Sequence, residues 1–96
     1  MTGATESPAR SLGRAHDVLW RRTAGSVVIR HLDGRGVVLT GTGPMVWDAL
    51  DQPRTILEVA ATLAAAFDRP ANEIAADLVE TIAALRSSGM VIEVEA

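Results

Sequence analysis

Between Ala71 and Leu85 the apolar residues Ala71, Ile74, Ala75, Leu78, Val79, Ile82 and Leu85 return at three- and four-residue intervals, the spacing that puts side chains on one face of an α-helix. Glu73, Asp77, Glu80 and Arg86 fall off that stripe. The stretch from Asp68 to Val94 therefore reads as a long amphipathic helix, opened by the Asp68-Arg69-Pro70 break, closed by Ser88-Gly89, and followed by a short strand at Met90-Val91-Ile92. The glycine suits that place because the residue just past a helix end usually takes a positive φ, which only glycine adopts without a Cβ penalty. A helix this long cannot bury its stripe alone, so the chain before it must supply the covering surface.

That covering material changes period twice. Met1 to Ala15 has Gly3, Ser7-Pro8, Gly13 and few large apolar residues, and reads as a mobile tail ahead of a single domain over residues 16–96. A β-like run begins at Val18-Leu19-Trp20 and turns at Ala24-Gly25; Ser26 to Leu32 forms a second strand, and Asp33-Gly34 is a strong hairpin signal before a third strand at Gly36 to Thr40. The period then becomes helical. Thr42-Gly43-Pro44 offers a capping hydroxyl and a proline at a helix start, with Met45, Val46, Trp47 and Leu50 as the apolar residues of a first helix ended by Asp51-Gln52-Pro53. Thr55-Ile56-Leu57-Glu58 is a capping box, from which a second helix runs to Phe67. The expected fold is α+β: a three-stranded antiparallel sheet, three helices with a helix-turn-helix-like pair at the second and third, and a short C-terminal strand or tail.

Residues able to carry chemistry are scarce. Without cysteine the chain has no disulfide, thiolate metal site or cysteine nucleophile. His16 and His31 are the only histidines and have no carboxylate at ligand spacing, so no metal is expected. Gly34-Arg35-Gly36 and Gly41-Thr42-Gly43 lack both dinucleotide and P-loop patterns and are explained by a hairpin and a helix start. No serine lies in a nucleophile-elbow context. Trp20 and Trp47 read as core aromatics. The chain is expected to be neither an enzyme nor a cofactor carrier. It has no run long enough for a membrane span and no signal-peptide core at its start, which makes the cytoplasm the expected compartment.

Charge is unevenly placed. Six arginines (Arg10, Arg14, Arg21, Arg22, Arg30, Arg35) oppose three acids up to Arg35, while three arginines oppose nine acids beyond it. The strand region is thus basic and the helical region acidic, a distribution that suits a solvated surface or the attraction of an acidic peptide to the strands.

Over Asp17 to Val91 the chain resembles the PqqD-like family, the RiPP precursor peptide recognition elements. The resemblance rests on Val38-Leu39-Thr40 with Gly41-Thr42-Gly43-Pro44-Met45-Val46-Trp47, on Pro53-Arg54-Thr55-Ile56-Leu57-Glu58-Val59-Ala60, and on Asp77-Leu78 through Leu85 to Ser88-Gly89-Met90-Val91. Gly41 departs from the pattern, standing where family members often carry asparagine. The motifs are structural rather than catalytic, and it is their order and spacing that make the match specific.

The resemblance implies a winged helix-turn-helix fold and a non-catalytic adaptor. Such an adaptor captures the leader of a ribosomally synthesised precursor by β-strand addition and presents it to a modifying enzyme, such as a radical-SAM enzyme or a leader peptidase. An edge strand offers unpaired amides and carbonyls to any extended peptide, and apolar pockets beside it select side chains. The edge implied here is Val37, Val38 and Leu39, and the helix wall Asp77, Leu78, Thr81, Ile82 and Leu85. A DNA-binding regulator is the competing reading of a winged helix-turn-helix, and a protein-interaction or oligomerisation module is another. The second and third helices hold Glu58, Glu73, Asp77 and Glu80 against Arg54, Arg69 and Arg86 at or near their ends, where phosphate contacts need clustered cations. Neither nucleic acid nor membrane is an expected partner.

Overall fold

The computed structural model describes residues 10–94. In chain order the elements are β1 (Leu12–Arg14), β2 (Val18–Thr23), β3 (Ser26–His31), β4 (Gly36–Leu39), α1 (Gly43–Ala49), α2 (Ile56–Phe67), α3 (Ala71–Ser87) and β5 (Val91–Glu93). The expected meander is β2-β3-β4, antiparallel throughout. The fold class is α+β as expected, with the three helices following the sheet.

Local sequence explains most of these boundaries. Gly25 and Gly34 take positive φ in the two hairpin turns. At the start of α2, the Thr55 hydroxyl accepts from the Glu58 amide at 3.1 Å, and the Glu58 carboxylate accepts from the Thr55 amide at 2.8 Å, completing the capping box. Gly89 ends α3 with φ +81°. The expected cap at Thr42 is different: its backbone is already helical (φ −84°, ψ −9°), so the hydroxyl caps nothing and only its carbonyl enters the helix, accepting from Met45 and Val46. A capping hydroxyl needs an extended backbone, and Gly41, at φ +61°, has turned the chain before Thr42 is reached.

The tail boundary at Ala15 requires a correction. Leu12–Arg14 is a strand that pairs antiparallel with β5 in a separate two-stranded sheet, and Leu12 is 1 % exposed. Leu12 also exchanges both backbone hydrogen bonds with Arg54, at 2.8 and 3.0 Å. A lone leucine with flanking glycine and serine has no period to announce a strand, yet its side chain and backbone are fully used by partners remote in sequence. Residues 1–9 of the expected tail lie outside the described residues.

Arg14 fastens this strand to the rest. Its Nε and Nη2 donate to the Trp47 carbonyl at 3.2 and 2.8 Å, and its guanidinium lies 4.8 Å from the Trp20 ring and 4.9 Å from the Trp47 ring. The two indoles meet edge to face at 6.1 Å. Trp47 is core, as expected; Trp20 instead keeps 41 % of its surface exposed and lies at the margin of the core, against Trp47 and Arg14.

One core lies between the β2-β3-β4 sheet and the helices. It gathers Val27 and Ile29 from β3, Val46, Trp47 and Leu50 around α1, Ile56, Val59, Ala60 and Leu63 from α2, and Ile74, Leu78, Ile82 and Leu85 from α3. Val79, the outlier of the α3 stripe, is exposed, as is Phe67 at the end of α2.

Candidate functional site

Among the described residues β4 is an edge strand, bonded to β3 on one side only. The His31 amide donates to the Arg35 carbonyl at 2.7 Å, and this bond at the hairpin end sets the phase of the antiparallel ladder. Hydrogen-bonded pairs alternate along it, so Val37 opposite Ile29 and Leu39 opposite Val27 direct their amides and carbonyls at β3. The intervening Gly36 and Val38 then direct theirs outward. Neither has a backbone hydrogen-bond partner among the described residues.

Side chains alternate in the same register. Val37 and Leu39 are half-buried and pack on the core, while Val38 points to the opposite face and is 62 % exposed. One end of the edge lies against Gly43, where a Cβ would come within 2.9 Å of the Leu39 Cβ, so a larger residue there would push α1 and β4 apart. The other end is set by Arg35. Its guanidinium lies over Gly89 at the close of α3, where a Cβ would be 2.7 Å from Nη2, and this brings the β3–β4 hairpin beside the end of that helix.

The hairpin turn is held electrostatically. The Asp33 carboxylate accepts from the Arg35 amide at 3.0 Å and from its Nε at 2.7 Å, and the Asp33 amide donates to His31 Nδ1 at 3.1 Å. The Arg35 amide, followed by its guanidinium, holds the Asp33 carboxyl below the usual carboxylate range despite some desolvation. The carboxylate is therefore present at neutral pH, and its contribution to the turn is lost only as pH falls through that lowered value.

The expected helix wall divides in two. Leu78, Ile82 and Leu85 are 3 %, 0 % and 3 % exposed, which makes them core rather than the lining of an open groove. Their stripe is what holds α3 against the rest of the protein, and a side chain buried for that purpose offers no surface. Asp77 is exposed and faces Arg69 at 3.6 Å; Thr81 is half-buried. Val37 and Leu39 belong to the same packed body as the three buried α3 residues, so edge and helix are joined through the core.

Elsewhere there is little to support chemistry. Among the described residues no group of three His, Asp or Glu side chains could hold a metal ion, and no helix is long and apolar enough to cross a membrane. A hollow between α1 and α2 is lined by Met45, Asp48, Ala49, Asp51, Arg54, Thr62 and Leu63. Burial lowers the Arg14 pKa, with nearby Asp51 and Asp48 opposing. The exposed acids of α2 and α3, Glu58, Glu73, Asp77 and Glu80, give those helices no cationic face.

The sequence model of the family described as coenzyme PQQ synthesis protein D (PqqD) matches residues 24–91. A search of curated proteins found no match. Two solved structures share the fold. One is the PqqD truncation of Methylobacterium extorquens PqqCD, a stand-alone RiPP recognition element; it matches with TM-score 0.78 at 19 % identity over 96 % of this chain and 99 % of that one. The other is TbiB1 in complex with the TbiA(beta) leader peptide, with TM-score 0.76 at 18 % identity over 88 % of this chain and 99 % of that one.

Proposed function

The chain belongs to the PqqD family, and from that premise we propose that it is a non-catalytic adaptor that captures the leader of a ribosomally synthesised precursor peptide on β4 and presents it to a modifying enzyme. The observation that carries this reading is the outward row of unpartnered backbone groups at Gly36 and Val38, with the half-buried Val37 and Leu39 beneath it. An extended peptide laid along β4 completes the ladder, so affinity comes from main-chain hydrogen bonds and selectivity from whichever side chains meet the strand's two faces. A structure sharing this fold at TM-score 0.76 is itself a leader-peptide complex, which supports a leader peptide as the ligand here. On the inner face the captured strand meets the margin of the core at Val37 and Leu39, with Thr81 and Asp77 as the surface that α3 can offer; Leu78, Ile82 and Leu85 act from beneath by fixing that helix. The partner enzyme, of radical-SAM or leader-peptidase type, receives a peptide held extended at one end. A DNA-reading role would need the clustered cations that α2 and α3 lack.

The test is a titration of the leader encoded beside this chain's own gene. Saturable one-to-one binding of the leader, and none of a scrambled peptide of equal composition, is expected. Equal binding of both peptides would reduce the site to a non-specific sticky edge.

A further inference from the structure

We propose that the outer face of the β4 edge carries a carboxylate subsite, in which Arg30 reaches across Gly36 to an aspartate or glutamate of the captured strand. This inference deepens the strand-addition reading above and rests on it.

Arg30 stands apart in the charge pairing of the protein. Arg10, Arg22, Arg35, Arg54, Arg69 and Arg86 each face a carboxylate, and Arg14 is bonded to a carbonyl. Among the described residues, only Arg21 and Arg30 have no such partner, and both lie exposed on the outer face of the β2-β3-β4 sheet. There they are interleaved with Leu19 and Val28, since Leu19 pairs with Arg30 and Arg21 with Val28, and the four line one shallow hollow together with Trp20.

The cross-strand neighbour of Arg30 on β4 is Gly36. Neither backbone nor packing demands glycine there. Its φ is not positive, and the nearest atom to a Cβ at that point would be the Ile29 carbonyl oxygen at 3.4 Å. What the missing side chain does is leave an open lane from Arg30 to the strand edge. Strands lie about 4.8 Å apart, so a strand added to β4 runs about 10 Å from β3, a distance that an extended arginine and an acidic side chain span between them. Arg21 is one strand further away and cannot reach, but its charge sits diagonally from Arg30 and adds to the positive potential that a carboxylate would relieve. Because side chains alternate along a strand, the residue of the guest opposite Gly36 shares the outer face with the one opposite the exposed Val38. The captured segment should therefore carry an acidic residue two positions from an aliphatic one.

A displayed library of random linear peptides, selected on the whole chain, tests this whatever the sequence of the natural leader. Enriched peptides are expected to place aspartate or glutamate two positions from an aliphatic residue. Arg30→Gln should weaken a selected acidic peptide by about threefold to tenfold while leaving its alanine counterpart unchanged. Arg30→Glu should redirect selection toward lysine or arginine at the same position. Both substitutions fall on an exposed, unpartnered side chain and leave the fold intact. Enrichment that is lost in Val38→Pro but shows no acidic preference, or an acidic preference that survives Arg30→Gln, overturns this inference alone. No enrichment at all, or enrichment indifferent to Val38→Pro, overturns the strand-addition reading and the inference with it.

Discussion

Val38→Pro is expected to fold normally and lose its peptide. The Val38 amide points away from β3, so proline removes no hydrogen bond of the existing sheet, and edge strands tolerate proline where the missing donor faces solvent. The bound peptide does lose a donor, the carbonyl opposite is left unpaired, and the pyrrolidine ring stands where the guest backbone must lie. A stranded buried carbonyl alone costs about 1–3 kcal/mol, roughly fivefold to 150-fold in affinity, before the steric term is added. The contrast is with Val37→Pro. That amide serves the β3–β4 ladder, so the neighbouring substitution should detach the edge strand and lower stability as well as binding. Calorimetric titration together with thermal unfolding of both variants separates the two effects. Undiminished affinity in folded Val38→Pro would move the site off this edge.

Ile82→Ala is expected to remove much of the protein's stability, and Leu78→Ala nearly as much. Both side chains are essentially inaccessible and belong to the single core that joins α3 to α2 and the sheet. Truncating a buried isoleucine or leucine to alanine costs about 2–5 kcal/mol through lost transfer energy and the cavity left behind. Small domains hold only about 5–15 kcal/mol in total. Denaturant unfolding followed by circular dichroism measures the loss. A loss below about 1 kcal/mol would mean that the stripe is not core but a surface kept open for a partner.

What the sequence disclosed follows from the range of the forces involved. The α3 stripe, the Thr55–Glu58 capping box and the Asp33-Gly34 turn are local devices whose residues lie within a few positions of one another, and all three are found where the pattern puts them. The β1–β5 pair is not local: Leu12 meets Glu93, so nothing near Leu12 in the chain betrays its partner. Nor does apolar character distinguish a core stripe from a groove wall, which is why Leu78, Ile82 and Leu85 could be read as lining a groove although they lie beneath the surface. The run Val37-Val38-Leu39 has no polar residue to mark its wet face. Only the register against β3 turns Val38 outward, and with it the backbone groups on which the proposed site depends.

The measurement that bears most directly on strand capture is amide hydrogen exchange of the full chain with and without the leader peptide, resolved residue by residue. Val37 and Leu39, already bonded to β3, should be protected in both states. Gly36 and Val38 should exchange freely alone and become protected when the leader binds. Protection that appears instead at Val18, Trp20 and Arg22 of β2, the opposite edge of the sheet among the described residues, or binding that leaves Gly36 and Val38 exchanging as before, would contradict strand capture on β4.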